Sequence, residues 1–326
     1  MTHEMKYSMF VVDETPYCLW DWELDKRNLD FLDQIDHEYF KYIVEAHFPN
    51  IGGDNSQRAA IVLKTTYHQA LETFFTLLFA AFQAPGCVVA YVHKCTSGHL
   101  RSMINKIQTG RAKLFNRQGI DFLSWTKISD TVNLVSYEDI KRTEETKELF
   151  ARLWSRFGHA YLDDSNINEY NSIKHGFRLR PGGFTLRIGT EPEYGVAPPE
   201  GEMKIIGDSK FGSTFYVAEP IKDLNENKYK RNFRVREHSV NWNPENIAHA
   251  LQLLSLSISN IISYVKVLHG VDPKTLPFKR PQSSEYFEEP FKRSTGVLNI
   301  AMNHIITKED ITPFTNEEII EGLKNA

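Results

Sequence analysis

Between Arg58 and Phe82 the chain places Leu63, Tyr67, Leu71, Phe74, Phe75, Leu78 and Phe82 three and four positions apart. That recurrence is the 3.6-residue period of a helix, and a stripe this broad has to be covered by other elements. "QAPG" ends the helix, because Pro85 disfavours a helical Ala84 and Gly86 makes a turn. Three further segments have the same period. One runs from Val88 to Ile107 and is broken near Ser97–Gly98. A second, Thr146 to Tyr161, buries Leu149, Phe150, Leu153, Trp154, Phe157, Ala160 and Tyr161. The third, 244–269, opens on Asn243-Pro244-Glu245, which is a cap, a first-position proline and an acid in the first turn. Leu251, Leu254, Ile258, Ile261, Ile262, Val265 and Leu268 line its face, and Gly270 stops it. These four helices predict a bundle.

The texture changes after Gly176. "GFTLRIG", "MKIIGD", "STFYVAEPI" and "NFRVREHSVNW" are short alternating or β-branched runs, which predict a small antiparallel sheet. Upstream, Tyr7 to Val12 reads as a strand and Asp33 to His47 as a helix, and 111–145 reads as an irregular connection. The fold class is α+β: mostly a helical bundle with a small antiparallel β insertion, not alternating βαβ units. The expected layout is an N-terminal extension 1–55, a bundle of 56–176 with 241–270, a β-rich insertion 177–240 and a C-terminal extension 271–326. The last of these reads as loose and proline-punctuated, apart from one helix capped by Thr315 with Glu318.

With 38 Lys and Arg against 42 Asp and Glu in 326 residues, the net charge of −4 argues against a protein that coats nucleic acid non-specifically, but leaves room for a local basic site. Three cysteines (Cys18, Cys87, Cys95) are too few for a disulfide framework. The N-terminal residues lack a signal-peptide apolar core, and "FFTLLFAAF" (74–82) falls far short of the ~20 residues of a membrane span. A cytoplasmic protein with no membrane contact is expected. There is no glycine-rich phosphate loop.

One basic island stands out. In "NEYNSIKHGFRLRPGG" (168–183), Asn171 and His175 are four apart among Lys174, Arg178 and Arg180, and no acid lies between Tyr170 and Thr190. On a helix over 167–175, started by Asn166 with Glu169 as a capping box and ended at Gly176, Asn171 and His175 share a face about 40° apart. Histidine can take and give a proton near neutral pH, and the Asn amide can hold its tautomer or grip a phosphate oxygen. Lys174, Arg178, Arg180 and Arg187 could neutralise a phosphodiester. These parts suffice for metal-free RNA cleavage by attack of the ribose 2′-hydroxyl. The competing structural reading is that cations before a terminal glycine simply complement the helix dipole.

"YNSIKH", at the end of a helix associated with a four-helix bundle, resembles the HEPN family (higher eukaryotes and prokaryotes nucleotide-binding domain), whose signature is Arg-Asn-x-x-x-His. Asn171 and His175 match; Tyr170 stands in the Arg position, where it donates one hydrogen bond but carries no charge at neutral pH. The likeness covers roughly 58–176 plus 244–269. It implies a metal-independent endoribonuclease of a bacterial defence or toxin type, working as a homodimer without cofactor. In that reading His175 is general base or acid, Asn171 the orienter with Tyr170 beside it, and Lys174 or Arg178 the phosphate holder. Degenerate members serve instead as modules that bind a nucleotide or a protein.

Three other groupings carry candidate chemistry. Cys87, His93, Cys95 and His99 are zinc-ligand types, but they lack the spacing of a knuckle, so no metal is expected. His68 and Glu72 lie one helical turn apart, which fits a polar helix edge or a carboxylate orienting His175. "KYKRNFRVREH" (228–238) alternates so that Arg231, Phe233 and Val235 share one strand face while Lys230, Arg234 and Arg236 share the other. Cations interleaved with aromatics are the composition of a single-strand RNA platform, and equally of an antiparallel strand with one wet face. Three readings therefore stand: a ribonuclease, a non-catalytic nucleotide or protein binder using the same basic face, and a scaffold.

Overall fold

The computed structural model describes residues 5–114, 122–134, 140–221, 224, 227–302 and 306–325. In chain order the elements are β1 (Lys6–Val12), β2 (Thr15–Asp21), α1 (Leu24–Asp33), α2 (Tyr39–His47), α3 (Ser56–Gln83), α4 (Val88–Lys94), α5 (Ser97–Gln108), α6 (Trp125–Val132), α7 (Ile140–Leu162), α8 (Asp164–Lys174), β3 (Leu179–Pro181), β4 (Thr185–Ile188), β5 (Lys204–Asp208), β6 (Gly212–Pro220), β7 (Phe233–Asn241), α9 (Pro244–Leu268), β8 (Asn299–Met302) and α10 (Asn316–Lys324). The class is α+β and mostly helical.

The chain divides into two compact units, Met1–Asn166 with Pro244–Arg293, and Ile167–Asn243 with Ser294–Ala326. Several boundaries differ from the expected layout, and the expected C-terminal extension is divided between the units after Arg293. The N-terminal segment is part of the helical unit, and the change of unit falls inside α8, so the Asn171–His175 helix belongs with the strands.

In the first unit α3 packs along α9. Phe74, Phe75, Leu78 and Phe79 of α3 are fully buried, as are Leu251, Leu254 and Ile258 of α9. Each such side chain contributes up to about 1.5–3 kcal/mol of transfer free energy. Trp154 and Phe157 of α7 close on Phe74, with ring centroids 5.6 and 6.3 Å away. Among the described residues α9 alone is long and apolar enough to cross a membrane, but most of that stretch is buried within the structure.

Because α9 is covered on so many sides, its small polar residues need partners inside the protein. Ser255 Oγ donates to the His37 carbonyl, and Ser257 Oγ donates to the Leu253 carbonyl while accepting from Trp154 Nε1. Ser263 Oγ donates to the Pro277 carbonyl, and Asn260 takes both the N–H and the C=O of Lys279. The last two hold an extended strap. Arg280 on that strap donates to Thr146 Oγ1, and Phe287 packs edge-on to Phe150 at 5.0 Å. Residues 271–293 are thus bound along the helical unit, whereas their prolines read as a loose tail. Side-chain bonds to α9 hold the middle of this stretch, and three short 3-10 turns, Pro273–Thr275, Ser284–Phe287 and Glu289–Phe291, flank it.

The N-terminal strand has an unforeseen partner: β1 and β2 form an antiparallel hairpin turning at Asp13, which has φ 57°. Gln83, at the end of α3, accepts from the Asp13 N–H and donates to its carbonyl, and it also accepts from Tyr91 Oη. Lys106 pairs with Asp13 and Glu14. The predicted helix 33–47 shortens to α2, Tyr39–His47; Asp33 instead ends α1, which was not expected, and Asp36 Oδ1 accepts from Glu38 N in the turn between the two. Within the stretch expected to be irregular, 111–145, α6 forms and α7 begins at Ile140; 115–121 and 135–139 lie outside the described residues.

Replacing Asn260 by Ala strips both backbone groups of Lys279 of their partner. We expect a loss of about 2 kcal/mol in urea unfolding, with new protease cleavage between 271 and 293. An unchanged midpoint and cleavage pattern would rule out the clamp.

Candidate nucleic-acid interface

In the second unit β6 and β7 form a hairpin in register from Gly212 opposite Asn241 to Pro220 opposite Phe233. Strands β3 and β8 flank it in the order β3-β6-β7-β8, and β4 with β5 makes a separate two-stranded sheet. The chain passes very close to itself at Gly212, where a Cβ would lie 2.1 Å from the Val240 carbonyl oxygen. Asn241 bonds both the N–H and the C=O of Phe184.

Directly paired residues share a face of the sheet. One face therefore carries Arg180, Thr214, Ser239 and Ile300 in one row and Tyr216, Glu237 and Met302 in the next. Ala218 with Val235 follow, and then Pro220 with Phe233. This face is open: Tyr216 is 64 % exposed, Phe233 60 %, Val235 59 % and Met302 72 %. Tyr216 Oη donates to Glu237 Oε2, and that carboxylate raises the phenol above its ordinary pKa while the Arg180 charge acts in the opposite direction.

The other face turns inward with Phe215, Val217 and Glu219 beside Arg234, Arg236 and His238. Glu219 Oε2 accepts from Arg234 at 3.3 Å and Arg236 at 3.1 Å, and His238 Nε2 stands 3.4 Å from Oε1. Arg234, whose side chain is 9 % exposed, is held by this carboxylate and is not available to RNA. Its position in the alternation is as expected. The alternation left open which face is wet: the aromatic face is open, and the cationic face is packed around Glu219, four register pairs along the hairpin from the Phe215 row. Arg231, just before β7, remains exposed.

Helix α8 meets the strands through Glu169 and Ile173, both buried. Glu169 Oε1 accepts from Ser213 Oγ at 2.5 Å and from Trp242 Nε1 at 3.0 Å. Glu169 therefore does not close a capping box with Asn166. Asp163 Oδ1 accepts from Ser165 N and Asn166 N at the helix start, and the Asn166 side chain binds Lys64 and the Ala160 carbonyl.

Burying that side of α8 leaves Asn171, Lys174 and His175 on the exposed side. The His175 N–H donates to the Asn171 carbonyl at 3.0 Å, so the two residues stand one turn apart. Lys174 Nζ lies 5.6 Å from the centroid of the Tyr170 ring. The chain leaves the helix through Gly176 (φ 118°) and Phe177 (φ 54°), and the Arg178 N–H closes back onto the Ser172 carbonyl. Arg178 Nε then lies 4.0 Å from where a Cβ on Gly176 would be, which brings the guanidinium to the His175 end of the helix. Among the described residues no carboxylate pairs with Lys174, His175, Arg178 or Arg180. Lys174, Arg178 and any protonated His175 complement the carbonyl end of α8. Arg180, out on β3, is beyond the reach of that explanation.

The remaining sequence candidates have structural roles. No group of three or more His, Cys, Asp or Glu among the described residues could hold a metal ion. His99 closes a capping box with Thr96, Cys87 is buried, and burial pushes the Cys95 thiol up to about 11. His68 is buried, and Glu72 accepts from Ser97 Oγ. Tyr216, Glu237 and Met302 were not singled out from the sequence, because β3 and β8, which define the outer rows, are too short to register as strands. Comparison with protein-family models, with curated proteins and with solved structures gives no match to this chain.

Burial disfavours the Glu219 charge, but Arg236 and His238 outweigh it and hold the carboxyl below its ordinary 4.5. A depressed folded-state pKa gives stability that is present above 4.5 and lost as pH falls through the folded value. Glu219→Gln should therefore speed hydrogen exchange of the β6 and β7 amides at pH 7. The difference from the parent should shrink as pH drops below 4.5, and a pH-independent difference would contradict the ionic origin.

Proposed function

We propose that the second unit binds single-stranded RNA. The observation that carries this reading is the open sheet face, where Tyr216 is exposed one row from Arg180, a cation with no acid partner among the described residues, and Phe233 is exposed at the far end of the hairpin. Exposed rings on a strand surface stack on bases, and nearby guanidinium groups take phosphates. Arg178 and Lys174 at the end of α8 and Arg231 before β7 extend the cationic surface, while Glu237, engaged by Tyr216, keeps phosphate off the centre of the sheet. The overall net charge of −4 favours a local site of this kind over general coating of nucleic acid.

Stacking and phosphate contacts leave different signatures. Phe233→Ala should weaken binding of a short RNA by about 1–3 kcal/mol without altering its salt dependence. Arg180→Ala should reduce the slope of log K against log salt by about 0.7. Fluorescence anisotropy at several salt concentrations reads both, and RNA affinity indifferent to both substitutions would end the proposal.

A second reading, cleavage of the bound RNA, is favoured by the exposed Asn171–His175 pair with Arg178 folded back beside it. There His175 moves the proton of the 2′-hydroxyl, Asn171 orients the ring or a phosphate oxygen, and Arg178 supplies the charge that Tyr170 lacks. Incubation of total RNA in excess EDTA should give 2′,3′-cyclic phosphate ends with the parent and none with His175→Ala. Intact RNA with both, despite binding, would leave the unit a binder only.

A further inference from the structure

Among the paired residues of the open sheet face there is one acid, Glu237. It stands half-exposed in the middle of its row, with Tyr216 of β6 on one side and Met302 of β8 on the other. The unit's inward acids have evident structural work: Glu219 balances two guanidinium groups, and Glu169 accepts from a buried hydroxyl and an indole. Glu237 has neither task. Among the described residues its partner is the Tyr216 hydroxyl, which donates to Oε2, and no cation pairs with it. Oε1 accepts nothing and reaches solvent. On the β8 side Met302 is 72 % exposed. Arg180, one row away, is near enough for its charge to act on the same phenol.

A carboxylate repels phosphate and, when ionised, only accepts hydrogen bonds. On a face that binds RNA it fits a base edge made of donors. Guanine is the one standard base that sets two donors side by side, N1–H and N2–H, to match two carboxylate oxygens. Adenine and cytosine place an acceptor nitrogen beside their amine, and the uracil N–H lies between two carbonyls. Each carboxylate oxygen has two lone pairs, so Oε2 can accept from guanine while it holds the Tyr216 hydroxyl. In a duplex this edge of guanine is already paired, so such a contact requires a single strand.

We propose that Glu237 selects guanine in the bound RNA. Its oxygens accept from N1–H and N2–H of a base lying against Met302, Tyr216 positions the carboxylate from the opposite side, and Arg180 takes a neighbouring phosphate. This assignment rests on the single-strand reading of the sheet face and adds which base that face prefers.

Fluorescence anisotropy of the full chain with labelled heptamers that differ only at the centre (UUUGUUU, UUUAUUU, UUUCUUU, UUUUUUU and one with inosine) compares the bases in one context. The guanine heptamer should bind about 10-fold more tightly than the adenine, cytosine and uracil ones. Inosine keeps N1–H but lacks the N2 amine, and should fall between. Glu237→Gln replaces one acceptor oxygen by a donor, and should bring the guanine heptamer down to the level of the uridine one. Tyr216→Phe keeps the ring but frees the carboxylate, and should reduce the preference without abolishing it. Equal affinity for all five heptamers, or a Glu237→Gln loss shared by the guanine and uridine heptamers alike, would overturn the assignment and leave single-strand binding standing. No binding of any heptamer by the folded chain would remove both. Free GMP competing as tightly as the guanine heptamer would also overturn it, by making the ligand a nucleotide.

Discussion

The helical unit depends on burying α3 against α9. Both helices are apolar over so much of their circumference that neither is stable in water alone. Once α9 is enclosed, its buried serines and Asn260 cannot remain solvated, and each must be satisfied by the protein. The strap from Leu276 to Arg280 provides much of that satisfaction through its own carbonyls and one amide. Burial of one helix therefore dictates the path of a distant segment that has no regular structure of its own. Ser259, whose buried hydroxyl has no partner among the described residues, is the exception to this rule.

The second unit distributes its charges by a similar logic. Its inward sheet face contains two guanidinium groups and an imidazole, and Glu219 makes that packing tolerable. Glu169 does the same for the Ser213 hydroxyl and the Trp242 indole where α8 meets the strands. These acids are committed inside, and among the described residues no acid pairs with the outward cations Lys174, Arg178, Arg180 and Arg231. A chain with a net negative total thus keeps some of its exposed cations unpaired through the direction its side chains face, with no excess of basic residues.

Much of the fold was legible in the sequence wherever periodicity was long. The stripes of α3 and α9 give their helices to within about two residues, that of α7 gives its end but not its start at Ile140, and the alternation of β6 and β7 gives their faces. Of the short elements, β4 and β5 showed as β-branched runs, but others were not legible. β3 has three residues and β8 four, too few for a period, and β2 ("TPYCLWD") mixes proline, aromatics and an acid. Glu169 was misread because an acid three residues after Asn166 fits a helix start, and only the tertiary structure shows it buried under Ser213 and Trp242. In the same way, alternation separates Arg234 from Phe233, but it does not say which side the rest of the unit will cover. The candidate catalytic pair needed only helical spacing and was visible; the open aromatic face needed strand register and was not.

Both units are assembled from pieces far apart in the chain, and this bears on synthesis from the ribosome. The helical unit receives its strap only after the whole of 167–243 has been made, and the sheet receives its last strand, β8, from residues 299–302. Neither unit can be completed in the order N-terminus first, so most of the polypeptide emerges before either core can close. During that interval the apolar faces of α3 and α7 wait for α9. A chain interrupted anywhere before α9 would leave two unfinished cores and no finished domain, which makes this architecture sensitive to premature termination to a degree that a contiguous pair of domains would not share.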